Sequence, residues 1–292
     1  MGDIVKGGWI NERPRQQIDE FAPFSPAKWR GTQAPPINWM VEGCFIKGTV
    51  GILAGDGGLG KSLLLQQLQT ACALGVPWLG MPTQKCDSLA LYCEDDEHEL
   101  QRRQERINAH YGCSMDNLSG VHMESRPGRD CVLMQFRQWG GDGNKTVMFD
   151  QLAHAAKERK VKIVILDTVA DVFSGNEVDR NQPRTFIRAL RQLALELQGV
   201  VILTQHPSNE GMASGTGRSG STGWHNSVRS RLYLTKPKGT DDTPTDERWL
   251  KTMKQNSSKF GGKISVTWKN GVFVLTEDAT EKHYWNEDRE WK

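Results

Sequence analysis

Four stretches of the chain are apolar almost without interruption: Thr49-Val50-Gly51-Ile52-Leu53-Ala54, Ser88-Leu89-Ala90-Leu91-Tyr92-Cys93, Val161-Lys162-Ile163-Val164-Ile165-Leu166-Asp167 and Val200-Val201-Ile202-Leu203-Thr204. Each has strand length, and strands without polar alternation lie in a parallel sheet covered on both faces. Between them the period becomes helical. Leu64, Leu65, Leu68, Ala71 and Cys72 share a helical spacing that stops before Gly75, and Leu100, Ile107 and Tyr111 mark one face of a second helix. Val147, Met148, Leu152 and Ala155 line a third within 145–160, and Phe186, Leu190, Leu193 and Leu197 a fourth. Helices alternating with buried strands predict an α/β fold with a mainly parallel central sheet flanked by helices. Farther on, Lys263 to Trp268 alternates polar and apolar, Asn270-Gly271 is a type I′ turn signal, and Val272 to Leu275 returns. That pattern predicts a C-terminal antiparallel hairpin finishing the same sheet.

Residues 1–37 lack periodicity and carry Pro, Arg and the single aromatics Phe21, Phe24 and Trp29, the composition of an extended arm or a disordered leader. Residues 38–276 read as one domain, and 277–292, with six acids against three bases, as an acidic tail. The 292 residues include 37 Lys and Arg against 35 Asp and Glu, a net charge of +2. This excludes a uniformly basic nucleic-acid coat but leaves room for a local basic patch. No apolar run approaches the roughly 18–20 residues of a bilayer span, and Met1-Gly2-Asp3-Ile4-Val5-Lys6 does not open a signal peptide. The six cysteines contain no C-x-x-C pair, which favours reduced thiols over metal ligands or disulfides. A cytoplasmic protein without membrane contact is expected.

The strongest chemical signal is Gly55-Asp56-Gly57-Gly58-Leu59-Gly60-Lys61-Ser62, which satisfies G-x-x-x-x-G-K-[ST] between a predicted strand and a predicted helix. Glycines let the backbone curl so that successive N–H groups face phosphate oxygens, and the helix start adds its positive dipole end. Gly55, Gly57, Gly58, Leu59, Gly60, Lys61, Ser62 and Leu63 are therefore the expected binding positions for ATP. Lys61 reaches the β- and γ-phosphates, and Ser62 ligates Mg2+. Asp167 ends a buried strand, where it would hold Mg2+ through water. Glu94 ends another, where a carboxylate can orient and deprotonate an attacking water. Asp95 to Glu97 read as a solvated helix N-terminus, and Arg102, Arg103 and Arg106 as a solvated or interface face of the helix that follows.

These motifs, with Ile165-Leu166-Asp167-Thr168 and Leu203-Thr204-Gln205-His206-Pro207-Ser208, fall in the order and spacing of a RecA-type ATPase core. With the stretch Ser219-Gly220-Ser221-Thr222-Gly223-Trp224-His225-Asn226-Ser227-Val228-Arg229-Ser230-Arg231, the chain resembles the RepA-like hexameric replicative helicases of plasmids and related phage ATPases over about 39–275. The resemblance implies a RecA-like P-loop NTPase core and roles for three further residues. His206 matches the γ-phosphate sensor. Arg229 matches the arginine finger that enters a neighbouring subunit's site; Arg231 competes for that part, which only one of the two can take. Lys254, in Met253-Lys254-Gln255-Asn256, matches a family lysine that contacts nucleotide across the interface, although Ser257-Ser258 stand where the family has tyrosine and glycine.

Two loops after core strands are candidates for nucleic acid: 170–184, carrying Arg180 and Arg184, and 208–223, with five glycines and Arg218. The second composition suits either a backbone-rich phosphate contact or a long loop with no ligand. The expected function is ATP hydrolysis in a homo-oligomer, a hexamer by resemblance, coupled to translocation on single-stranded DNA alongside replication or recombination proteins. The rivals are a recombinase or recombination mediator, and a nucleotide-switched DNA-binding or loading module that hydrolyses slowly.

Overall fold

The uninterrupted apolar runs become neighbouring strands at the centre of one sheet. A computed structural model of the chain describes residues 21–136, 143–237, 239, 245–256 and 262–276. Residues 1–20 of the arm, Ser257-Ser258 and the tail 277–292 lie outside the described residues. The chain divides into two compact units, Met1–Pro36 and Ile37–Lys292. In the first, a short 3-10 turn at Pro26–Trp29 is capped by Ser25, whose hydroxyl accepts from the Ala27 N–H, and Lys28 Nζ sits 3.8 Å from the centre of the Phe24 ring.

In the second unit a small ribbon, β1 (Trp39–Val41) with β2 (Phe45–Ile46), leads into β3 (Thr49–Gly55). β4 (Ser88–Tyr92) and β5 (Val121–Ser125) follow, and β6 (Met134–Phe136) with β7 (Gly143–Lys145) makes a second ribbon. Then come β8 (Ile163–Asp167), β9 (Val200–Gln205), β10 (Ser230–Thr235), β11 (Glu247–Gln255), β12 (Lys263–Lys269) and β13 (Val272–Leu275). Among the described residues nine strands form the central sheet in the order β13-β12-β11-β10-β3-β9-β8-β4-β5. From β10 to β5 all neighbours run parallel. β11, β12 and β13 extend the sheet antiparallel, and Asn270 and Gly271 both take positive φ at the last turn, as a type I′ hairpin requires.

Alternate residues of the central strands enter two cores. Ile52, Leu91, Leu166 and Leu203 pack with Phe149, Phe186, Leu190 and Trp224 on one face, and Leu53, Ala90, Ile165 and Ile202 with Leu64, Leu68, Leu100 and Phe273 on the other. The helices that supply these layers are α1 (Lys61–Leu74), α2 (Glu97–Tyr111), α3 (Val147–Glu158), α4 (Val169–Val172), α5 (Asn181–Leu197), α6 (Asn209–Ala213) and α7 (Thr222–Ser227). The predicted face of α3 is rotated: Phe149, Leu152 and Ala156 are buried while Val147 is exposed, because it stands in the first turn beyond the sheet's cover. Arg184 belongs to the first turn of α5 and not to the preceding loop, since the helix begins at Asn181.

Helix α1 is buried far beyond one apolar stripe. Gln66, Gln67, Gln69 and Thr70 are all inside, and their polar groups are met by neighbours, as buried amides require. Gln66 Nε2 donates to Leu100 O and Gln104 Oε1, while the Tyr92 hydroxyl donates to Gln69 Oε1. Gln67 makes a reciprocal pair with β13: its Nε2 donates to Phe273 O at 2.9 Å and its Oε1 accepts from Phe273 N at 2.9 Å. The Phe273 ring in turn lies against Gly60, where an added Cβ would come within 2.6 Å of it, and Gly60 itself has φ +95°. Only glycine suits that position, on both counts.

Candidate nucleotide-binding site

In a parallel α/β sheet the loops at the carboxyl ends of the strands form the binding crevice. Here β3, β4, β8 and β9 end side by side and deliver the phosphate loop, Glu94, Asp167 and His206 to one place. The loop between Gly55 and Lys61 is a bare curl of backbone. A Cβ added at Gly57 or Gly58 meets nothing within 4 Å, so a bulky anion can approach the main chain there. The Gly57 N–H donates to Asp56 Oδ1 at 2.7 Å. Leu59 and Leu63 send their side chains into the core, which leaves only their main chain to face a ligand.

Lys61 is 6% exposed, and its Nζ donates to the carbonyls of Gly55 and Asp56 at 2.9 and 3.0 Å. Burial lowers the amine's pKa, while Asp167, Glu94 and Asp56 pull it back up. Asp167 is buried at the end of β8. Its carboxyl is raised above the ordinary range by burial, against the opposing hydrogen bonds from the Ser62 and Thr204 hydroxyls and the charge of Lys61. Thr204 Oγ1 donates to Asp167 Oδ1. The Asp167–Thr168 peptide is cis.

Glu94 stands at the crevice mouth, two residues past β4. Partial desolvation raises its carboxyl, Asp167 and Asp171 raise it further, and His206 opposes them. Asp171 is held by Thr168, whose Oγ1 donates to Asp171 Oδ2 at 2.7 Å. The segment carrying Glu94 is anchored by its neighbour. Asp95 takes two bonds from the Arg103 guanidinium, at 2.5 and 2.9 Å, and its carbonyl accepts from Ser125 Oγ. Arg103 is thus a half-buried clamp, not part of a solvated face.

The groups fit a nucleotide and a divalent cation. Lys61 is a buried cation that forms no ion pair among the described residues, beside a run of open main chain. Ser62 and Asp167 are hard oxygen donors in mutual contact, the type Mg2+ takes together with phosphate oxygens.

Arg229 and Lys254 lie elsewhere. The Arg229 N–H donates to Val50 O at 3.2 Å, at the opening of β3, whereas the phosphate loop leaves its far end. Five residues of strand, about 16 Å, separate the two. The Arg229 side chain is exposed there. Arg231 is buried, with its guanidinium on the carbonyls of Thr216 and Gly217, which removes it from competition for a projecting role. Lys254 Nζ donates to His225 O at 2.8 Å and Asn226 O at 3.3 Å, and burial and then the nearby Arg229 charge lower its pKa. The structure therefore gathers Lys61, Ser62, Glu94, Asp167 and His206, and separately pairs Arg229 with Lys254.

The residue pattern alone does not single out Thr204, Asp171 or Arg103 as parts of the site. For Thr204 a signal exists: it is the first polar residue at the end of a fully buried strand, two positions before His206. The two candidate nucleic-acid loops touch each other, Ser221 N and Oγ donating to the carbonyls of Glu177 and Asp179 at 2.9 and 2.6 Å.

The sequence model of the AAA domain family matches residues 14–212. A solved structure of a helicase ATPase domain superimposes with a TM-score of 0.56, covering 80% of this chain and 87% of that chain at 15% identity. No curated protein sequence matches. The fold is that of a RecA-like ATPase core, with antiparallel strands closing its C-terminal edge.

Proposed function

This chain belongs to the AAA domain family, and from that premise we propose that it is a Mg2+-dependent ATPase working in a ring, as a RepA-like replicative helicase that moves on single-stranded DNA. The observation that carries the hydrolytic part is the meeting of Lys61, the Ser62–Asp167 pair and Glu94 at the ends of adjacent parallel strands. Residues 38–276 would form the ATPase domain, with 1–37 as an arm and 277–292 as a tail.

Lys61 turns its ammonium from the loop carbonyls to the β- and γ-phosphate oxygens. When bound, Mg2+ supplies positive charge against the same oxygens and the leaving group. Glu94 accepts a proton from water as the water oxygen bonds to the γ-phosphorus, and the bridging bond breaks with its electron pair leaving on ADP. His206, beside Glu94, is placed to read the presence of the γ-phosphate. Arg229, at the far end of β3, cannot serve its own chain's site and supports a finger supplied to a neighbour. Such fingers contribute roughly 10³–10⁵ in rate. Lys254 would accompany it across the same interface.

The test is ATPase rate per subunit against protein concentration, with and without single-stranded DNA, for wild type and Arg229→Ala. A rate that climbs with concentration and DNA and collapses in the variant supports the motor. A slow rate indifferent to all three sinks it and leaves a nucleotide-switched loading module.

A further inference from the structure

A second, smaller cavity of about 40 Å³ is lined by Gln205, Arg218, Ser221, Trp224, His225 and Arg231. Its walls carry polar atoms without partners. Gln205 is 3% exposed and neither its Nε2 nor its Oε1 is bonded; Trp224 is 1% exposed and its Nε1 is likewise unbonded, as is His225 Nδ1. Each such group costs about 1–3 kcal/mol when buried unsatisfied. Three side chains aimed this way at one void make it a polar pocket and not a packing fault.

Charge decides what the pocket suits. Arg231 is 2% exposed, and its guanidinium meets only the carbonyls of Thr216 and Gly217. No carboxylate pairs with it among the described residues, and burial, with Arg218 beside it, pulls its pKa down to about 10. Arg218 stands exposed at the mouth. The nearby acid, Glu177, is engaged by the Ser219 hydroxyl at 3.4 Å. Water would satisfy the amide and the indole but leave the buried guanidinium charge uncompensated. A compact oxyanion meets both needs, because guanidinium forks and N–H donors match its oxygens.

We propose that this pocket binds a phosphate group, held by Arg231 and Arg218 with N–H donors from Gln205 and Trp224. The phosphate is either a phosphodiester of a bound strand or free inorganic phosphate. Only that choice of source rests on the nucleic-acid reading above.

The full chain, saturated with ADP and Mg2+ so that the phosphate loop is filled, is titrated with inorganic phosphate while the thermal midpoint is followed. In parallel, a labelled oligothymidylate is titrated by anisotropy at several salt concentrations. Wild type is compared with Trp224→Phe, which deletes one N–H and keeps an aromatic ring, and with Arg231→Gln. The expected result is a midpoint that rises with phosphate in wild type, with apparent affinity about tenfold weaker in Arg231→Gln and several-fold weaker in Trp224→Phe. If the strand is the source, oligothymidylate displaces phosphate, and the salt slope of its binding falls by about one in Arg231→Gln. If phosphate binding is lost in the variants while oligothymidylate never binds, the pocket stands as a free-phosphate site and the strand reading falls. Equal phosphate and oligothymidylate responses in all three proteins overturn the pocket and leave the strand reading intact.

Discussion

Thr204 Oγ1 on β9 donates a hydrogen bond to Asp167 Oδ1 on the adjacent strand β8. Together with the Ser62 hydroxyl it opposes the burial that drives this carboxyl toward its protonated form. Thr204→Val keeps the shape and removes the donor. A bond to a charged group is worth about 1.5–3 kcal/mol. The Mg2+ concentration for half-maximal ATPase activity should therefore rise about ten- to hundredfold, and Thr204→Ser should restore it. A Mg2+ titration of the three proteins decides this; an unchanged midpoint in Thr204→Val would remove Thr204 from the site.

Glu94 must be ionised to take a proton from water, and its folded-state pKa lies above the ordinary glutamate value of 4.5. The rate should consequently fall as pH drops through that raised value, at higher pH than an ordinary glutamate would give. Glu94→Gln should bind nucleotide normally and lose about 10²–10⁴ in turnover. Its residual rate should lack the acid limb. A full rate in Glu94→Gln would pass the base to another group.

The separation of Arg229 from its own phosphate loop predicts complementation. Lys61→Ala and Arg229→Ala should each be inactive alone. Mixed in equal amounts, about one interface in four pairs an intact loop with an intact finger, and activity should return. Mixtures as dead as their components would argue against a finger given in trans.

His225 sits among Lys254, Arg218 and Arg231, and burial first, then these charges, lower its pKa from 6.5 to about 4. The unfolded chain binds the proton more readily, so stability is full above about pH 6.5 and is lost as pH falls toward 4. His225→Gln should show a smaller drop in thermal midpoint between pH 7 and 5 than wild type. Identical pH slopes would show that other groups carry the dependence.

The strands at the centre were legible because burial on both faces writes itself as unbroken apolar residues. β5, reading Val-His-Met-Glu-Ser at the sheet edge, and β11, Glu247–Gln255, half-buried along much of its length, give no such signal. The glutamines of α1 look like a solvent face and are interior, because their partners come from α2, β4 and β13, elements remote in sequence. In the same way the phosphate loop announces itself within eight consecutive residues. Thr204, Arg103 and the pocket around Arg231 depend on neighbours that only the folded sheet supplies.

The reciprocal bonds between Gln67 and Phe273 join residues 206 positions apart. During synthesis Gly60 and the polar side of α1 are made long before the ring and backbone that cover them. At about 5–20 residues per second that gap lasts roughly 10–40 s. Over that interval the nascent phosphate loop lacks one wall, and buried amides of α1 have no partner. Final closure of the nucleotide site is therefore set late, by the arrival of β13, and a ribosome stalled before residue 272 would hold a core that cannot yet grip its nucleotide as the finished protein does.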